Sequence, residues 1–393
     1  MSRKVLITLV VILALALAGA VGFILWQEMK PGDVPAEPTT APIQTTAVPT
    51  TQAPTTEVPT TSPTTVPAEA TEAPTEIPTE ATTVPTTAPV ETEPGPERFL
   101  LSFVGDCTLG STNSNYGIKH SFIEVIGEDY DYPFANVRQY FEADDFTFAN
   151  LECVLSDERM YSSSQFSFRG PTAYTQILTG SSVEAVTLAN NHTGDFGDKG
   201  ITHTKEALDA AGITWVEKNS ASLHKTESGL TIGMYAVNFT LDAKDMEKQI
   251  QSLRKQGAEL IIVAFHWGSE GVYRPNSTMV SNAHAAIDAG ADIVYGSHPH
   301  VLQKVENYGD SIIYYSLGNF SFGGNNFPQD YDSAILQQEV FRMEDGTLQL
   351  GELTWIPLSV SSITSHNNFQ PTPYEVGSKE YDRTVYEKRG LCP

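Results

Sequence analysis

Residues 98–393 are predicted to form an α/β domain, on three observations. Short apolar runs recur through this region, several of them long enough only for buried strands. Segments with helical spacing separate a number of these runs. Each run ends in polar residues of the kind that bind ligands. In an open α/β sheet, ligands collect outside the carboxyl ends of the strands.

The first strand is expected over 98–104, ending at Gly105-Asp106-Cys107. A second over 146–149 ends at Asn150-Leu151-Glu152-Cys153, and a third over 185–188 at Ala189-Asn190-Asn191-His192. Residues 198–211 have helical spacing, with Gly212 as the stop. A strand over 231–237 and a helix over 244–255 lead to a strand over 260–264 that ends at Phe265-His266-Trp267-Gly268. A helix over 278–289 precedes the run Ala291-Asp292-Ile293-Val294-Tyr295, which ends at Gly296-Ser297-His298-Pro299-His300. Later strands are expected over 312–315, 334–341 and 348–356.

The region before the domain is different in kind. Arg3 and Lys4 stand before an apolar run over 5–26. As a helix this run would span ~33 Å, enough to cross a bilayer with its N-terminus in the cytoplasm. Ala16-Leu17-Ala18 also fits a signal-peptide cleavage site, although the apolar run continues well past it. Residues 1–30 are therefore read as a membrane anchor or a signal peptide, and either exports the rest of the chain. Residues 31–97 hold 15 of the 24 prolines and repeat a loose Thr-Thr-x-Pro theme. Such a segment buries no core and is expected to be a disordered, stiffened linker or stalk. The expected location is the cell membrane, single-pass, with the domain on the outer face.

The formal net charge is −25. Residues 98–393 carry 37 acids against 20 bases. A domain this acidic is a poor general binder of nucleic acid, because phosphate contacts need a basic face. It also repels a polyanion unless bound cations or a local basic group offset the field. Three cysteines supply no disulfide framework for a domain of this size.

The strand ends carry Asp106, Glu152, Asn191, His266, His298 and His300. Carboxylate, carboxamide oxygen and imidazole together suit a divalent Zn, Mn, Fe or Mg ion. Six donors from five strand ends suffice for two ions sharing a bridging group. The remaining histidines, His120, His203, His224, His284 and His366, read as ordinary surface or core residues.

The ordered set Gly105-Asp106, Asn150-Leu151-Glu152, Leu188-Ala189-Asn190-Asn191-His192-x-x-Asp195-x-Gly197, His266-Trp267-Gly268, Gly296-Ser297-His298-Pro299-His300-Val301-Leu302-Gln303 and Tyr315-Ser316-Leu317-Gly318-Asn319-Phe320 resembles the CapA/PgsA-type poly-γ-glutamate capsule biosynthesis proteins. That family is similar to the calcineurin-like metallophosphoesterase superfamily. The resemblance runs over residues 99–360 and implies a metallophosphatase-like αββα sandwich. It implies one or two divalent ions and association with an anionic envelope polymer such as poly-γ-glutamate, beside the membrane subunits of a polymer synthase. By position, Asp106 would serve a first metal and Glu152 would bridge. Asn191, His266 and His298 would serve a second metal, and His300 would return to the first. His192 would be the general acid.

The wider superfamily begins Asp-x-His, whereas the third position here is Thr108. The first site is thus left with Asp106, Glu152 and His300, and the second is expected to fill more tightly. Asp195 is expected to orient His192. Arg169, in Phe168-Arg169-Gly170-Pro171, offers a guanidinium that could clamp a carboxylate or phosphate, and a surface ion pair is its plainer role. Asn319 is a further candidate for holding substrate. Cys107 and Cys153 each follow a proposed ligand and are either a disulfide or two small buried hydrophobes. The resulting expectation is an exported metal-dependent hydrolase acting on a phosphoester or amide bond. The alternative is a non-catalytic subunit that binds or guides the polymer. A nucleotidase would need a nucleoside-stacking module, which is not evident.

Overall fold

The computed structural model describes residues 95–384. The apolar run over 5–26, nearly all of the Thr/Pro-rich segment, and Cys392 lie outside the described residues. Among the described residues no helix is long and apolar enough to cross a membrane.

In chain order the first half contains β1 (Glu97–Thr108), β2 (Ser111–Thr112), α1 (Phe122–Ile126), α2 (Arg138–Phe141), β3 (Phe146–Leu151), β4 (Val154–Leu155), β5 (Phe168–Gly170), α3 (Thr175–Thr179), β6 (Ala185–Thr187), α4 (Gly197–Ala211) and β7 (Thr214–Val216). The second half contains β8 (Ala221–Lys225), β9 (Thr231–Asn238), α5 (Ala243–Lys255), β10 (Leu260–His266), α6 (Ser277–Asp288), β11 (Ile293–Ser297), β12 (Val305–Tyr308), β13 (Ser311–Tyr314), β14 (Asn319–Phe322), β15 (Asp332–Arg342), β16 (Leu348–Ser359), β17 (Thr372–Pro373) and α7 (Lys379–Asp382).

Two large sheets result. One has the order β17-β16-β15-β1-β3-β6-β7, with β14 also paired to β1. The other has the order β12-β13-β11-β10-β9-β8, and a small third sheet joins β2, β5 and β4. Period-two alternation explains how the large sheets stack. Along β10, Leu260, Ile262 and Ala264 share a buried cluster with Leu101, Phe103 and Phe148 of the first sheet. The intervening Ile261, Val263 and Phe265 face the helices, packing with Ile250 of α5 and Met279 of α6. A strand apolar on both faces must be covered on both, which makes this sheet internal. The outer face of the first sheet presents Val104, Ala149 and Val186 to Phe141 of α2, Leu178 of α3 and Leu208 of α4. The layers are therefore helix, sheet, sheet and helix. Each fully buried large apolar side chain here contributes about 1.5–3 kcal/mol.

The helices end where local chemistry directs. Gly212 closes α4 in the left-handed region at φ 72°. The Asp242 side chain caps α5, and the Asn276 side chain caps α6.

The first strand departs from expectation. It continues past Val104 to Thr108, because it changes partner and so stays paired. Residues 97–103 run antiparallel to β15, and from Asp106 the strand runs parallel to β14. Gly105 sits at this fork, where a Cβ would lie 2.1 Å from the Gly318 carbonyl oxygen. The Asp106 N–H donates to that same oxygen at 2.9 Å. The registers then align the polar residues. Asp106 lies opposite Asn150 of β3 and Asn319 of β14, and His266 lies opposite Ser297 of β11.

Candidate metal centre

Asp106 and Glu152 are both fully buried at the carboxyl ends of β1 and β3. A single carboxamide holds them together: Asn150 Nδ2 donates to Asp106 Oδ1 at 2.8 Å and reaches Glu152 Oε2 at 3.5 Å. Asn150 Oδ1 in turn accepts from Asn190 Nδ2 at 2.9 Å, and Asn190 also holds the Leu151 carbonyl. Asn190 thus supports the turn, as its place before Asn191 suggests. Burial, then the Asp106 charge, raise the Glu152 pKa well above the usual carboxylate range.

The second sheet brings three imidazoles to these carboxylates. His266 is the last residue of β10 and is buried. Its Nδ1 lies 2.9 Å from Ser297 Oγ, which donates its proton to the Phe265 carbonyl at 3.2 Å. A hydroxyl has one proton to give, so Ser297 accepts from His266 Nδ1–H and Nε2 is the bare nitrogen. That nitrogen lies 2.6 Å from Asn191 Oδ1 and 3.5 Å from Glu152 Oε1. Lone pairs converging in this way suit a cation better than one another.

Beyond β11 the chain turns sharply, placing His298 at φ 94° and His300 at φ 55°. A left-handed backbone at two non-glycine residues is strained and is held by its surroundings. The His298 N–H points at Asp106 Oδ2 at 3.4 Å, and its ring lies 4.7 Å from that of His266. Burial, then the neighbouring His300 charge, lower the His298 pKa. His300 Nδ1 sits between Asn319 Oδ1 at 2.9 Å and Asp106 Oδ2 at 3.1 Å, while its Nε2 is 4.0 Å from Glu152 Oε1. Burial opposes its protonation, but the Glu152 and Asp106 carboxylates outweigh this and push its pKa up to about 9.

Two buried donor atoms in this cluster, Glu152 Oε1 and His298 Nδ1, have no hydrogen-bond partner. Ligand atoms lie within 4.8 Å of one another in three sets: Glu152 with His266 and His298, Asp106 with Glu152 and His300, and Glu270 with His298 and His300. The first two sets each draw on both sheets. Buried polar atoms are rarely left unsatisfied, and the donor types match a divalent ion, so the residues fit such a group. Sequence reasoning misses Glu270. It lies four residues past His266 on an exposed loop, and its one signal is that it follows Trp267-Gly268.

His192 is buried beside the cluster, and its Nδ1 lies 2.9 Å from Asp195 Oδ2. The same carboxylate oxygen accepts the Phe168 N–H at 2.8 Å, and the Phe168 ring meets the imidazole edge-on at 4.6 Å. With Nδ1 so held, Nε2 is the nitrogen left for chemistry. His192, Asp195, Asn191, His300, Asn319 and Glu270 all line one cleft of about 560 Å³, walled by Phe166, Phe168 and Phe322. None of its lining residues is Lys or Arg.

Arg169, expected to meet substrate, does not line this cleft. Successive residues of β5 face opposite ways. Phe168 turns to the metal cluster, while Arg169 turns to a second cleft beside Tyr116. Cys107 and Cys153 are both buried free thiols, which selects the small-hydrophobe alternative over the disulfide. Burial raises both pKa values far above the usual thiol range.

Fold and cluster together define an α/β protein with two stacked sheets and a His/carboxylate metal-type centre at their junction. The chain belongs to the bacterial capsule synthesis protein family PGA_cap, whose model matches residues 100–324. It is 29% identical over 295 residues to a capsule biosynthesis protein CapA of Bacillus anthracis, covering 67% of this chain and 68% of that protein. It is 28% identical to a PGA biosynthesis protein CapA of Bacillus subtilis, covering 67% of this chain and 74% of that protein. A probable polyglutamine synthesis accessory protein of Mycobacterium tuberculosis is 27% identical, covering 59% of this chain and 71% of its own. Among solved structures, the NAD nucleotidase of Haemophilus influenzae is 10% identical with a TM-score of 0.38, covering 74% of this chain and 55% of that one. At this level the likeness carries no weight for activity.

Proposed function

We propose that the chain is an exported, membrane-anchored hydrolase of poly-γ-glutamate-type capsule polymer synthesis, with a metallophosphatase-like fold and a site for one or two divalent ions. The observation that carries this reading is the pair of buried, unpartnered donor atoms, Glu152 Oε1 and His298 Nδ1, within a cluster that both sheets build. Asp106, Glu152, Asn191, His266, His298 and His300 would hold the ions. A divalent ion bound there supplies Lewis-acid activation of water and of the oxygen at the scissile bond.

The chain's own side chains do the rest. Asp195 holds His192 Nδ1–H and presents Nε2 to the cleft, where the imidazolium form would give its Nε2 proton to the leaving group and be left as the neutral ring. Phe168 holds that imidazole from the side. Asn319 holds His300 by its ring and its carbonyl. Two relatives are named for capsule or PGA biosynthesis, which supports a poly-γ-glutamate-type polymer as the partner of this site, and the bond acted on would be an amide or a phosphoester.

The test incubates the purified full chain, loaded in turn with Zn, Mn or Mg, with γ-linked oligoglutamate and with a model phosphodiester. Products are read by mass spectrometry. Cleavage that is lost in His192→Ala supports the reading. A metal-loaded protein that cleaves neither, together with a His192→Ala strain that still makes polymer, would reduce the site to one that binds or guides the polymer.

A further inference from the structure

The most unusual cation in the domain lies outside the metal cleft. Arg169 is 6% exposed, yet it makes no ion pair among the described residues. Its Nη1 donates to the Ser156 carbonyl at 2.9 Å, its guanidinium lies 4.3 Å over the Tyr116 ring, and its Nε has no partner. Burying an unpaired charge is costly, and a guanidinium has five N–H groups to satisfy. Arg169 lines a cleft of about 800 Å³ together with Tyr116, Arg159, Tyr161 and Ser162. Asp157 is the one carboxylate on this lining, and the N–H and hydroxyl of Thr172 both bind it. The two loops that form the cleft are tied where Asn113 Nδ2 donates to the Met160 carbonyl at 3.2 Å.

The cleft adjoins the metal centre through a single segment of chain. Met160, Tyr161 and Ser162 line the Arg169 side, while Ser164, Phe166 and Phe168 line the metal side. The metal cleft has no Lys or Arg on its lining, and its two imidazoles belong to the centre itself, so the charges of a polyanion beyond the reacting unit must be met elsewhere.

We infer that the Arg169 cleft is a carboxylate subsite. It takes a carboxylate of the same polymer that has another unit in the metal cleft, with the chain crossing over residues 160–168. This rests on the polymer reading above and extends it to where the chain runs. Arg169 supplies the buried cation and Arg159 an exposed one at the mouth. A monoanionic carboxylate matches a single buried guanidinium, presented edge-on as Tyr116 covers its face.

The test uses the full chain, both metal-loaded and chelator-treated, with a γ-linked glutamate decamer as probe and inorganic phosphate as competitor. Calorimetry should show Arg169→Gln weakening decamer binding by roughly 10- to 100-fold, the worth of a charged hydrogen bond. Metal content should be unchanged. Should that variant fail to fold, amide exchange in the unmodified chain decides: the decamer should slow exchange across 113–116 and 157–168. A folded Arg169→Gln that binds as tightly as the parent, or exchange unchanged in those segments, overturns the subsite. Phosphate displacing the decamer at equal concentration overturns the carboxylate assignment. Cleavage is measured separately. Binding at Arg169 without cleavage sinks the hydrolase reading alone, and cleavage without protection at 157–168 sinks this one alone.

Discussion

Replacing Glu152 with Gln should separate the energetics of the metal-free centre from those of the loaded one. Glu152 is fully buried, and burial followed by the Asp106 charge raises its pKa. In the metal-free protein the native state therefore keeps a proton that the unfolded chain releases above about pH 4.3. Stability then falls as pH rises beyond that point, because the native state binds more protons than the unfolded one. Gln has the shape without the charge, so metal-free Glu152→Gln should melt at or above the metal-free parent at pH 7.5. With metal the order should reverse. An ion at a thousand times its Kd stabilises by about 4 kcal/mol, and each kcal/mol moves Tm by about 2–4 °C in a domain somewhat smaller than this. The parent should therefore gain about 8–16 °C on loading. The variant loses one donor from two of the three ligand sets, both that span the sheets, and should gain only a small part of this. Scanning fluorimetry of the full chain, with chelator and then with Zn, Mn or Mg, reads all four values. A parent whose melting point ignores both chelator and ions, or a metal-free variant that melts several degrees below the parent, would refute the reasoning.

Other expectations rest on the same geometry. His192→Ala should lower kcat by about 10²–10⁴-fold with metal content unchanged, checked by turnover and elemental analysis on one preparation. Asp144 and Glu184 are largely buried acids away from the centre, and burial pushes both up to about 7. Their folded pKa values exceed the unfolded ones, so chelator-treated protein should lose stability between about pH 4 and 7. Asp144→Asn with Glu184→Gln should flatten that slope in a pH series of melting curves. Cys107 and Cys153 should resist alkylation in the native protein and react fully once it is unfolded without reductant. Tryptic mapping would detect a disulfide as an unlabelled pair.

Much of the centre is legible because strand ends advertise themselves. Apolar runs stop, and Asp106, Glu152, Asn191, His266 and the His298/His300 pair come next. Pairing and direction stay hidden. β1 reads as ending at Val104, but exchanging β15 for β14 carries it to Thr108, and partner exchange leaves no mark in hydropathy. Short elements such as β2, β4 and β5 fall below the length at which alternation can be read. Arg169 stands out in the sequence as a notable cation, but the cleft it serves does not. Its direction depends on which face of a three-residue strand it occupies. Asn150 is visible as part of Asn150-Leu151-Glu152, yet its bonds to both carboxylates depend on the register between β1 and β3.

The way donors divide between the sheets has a consequence for how tightly each half of the centre fills. Asp106 and Glu152 come from the first sheet, His266, His298 and His300 from the second, so an ion held by either set also clamps the sheet interface. The Asp106 side draws on Asp106, Glu152 and His300, whereas Asn191 Oδ1 joins Glu152 and His298 around His266, so the His266 side has one donor more. Glu270 alters that imbalance, because its carboxylate comes within reach of His298 and His300 from an exposed loop. An exposed carboxylate costs little to bring to an ion and little to withdraw, so it should hold an ion more loosely than the buried set. Glu270→Gln should therefore lower occupancy of one ion while leaving the Glu152/His266/His298 ion in place. Titrating metal against melting point and elemental content would show a stoichiometry falling from two towards one. Loss of neither ion would mean that Glu270 is not a ligand and that the imbalance stands uncorrected, and equal loss of both would mean that it does not serve one ion selectively.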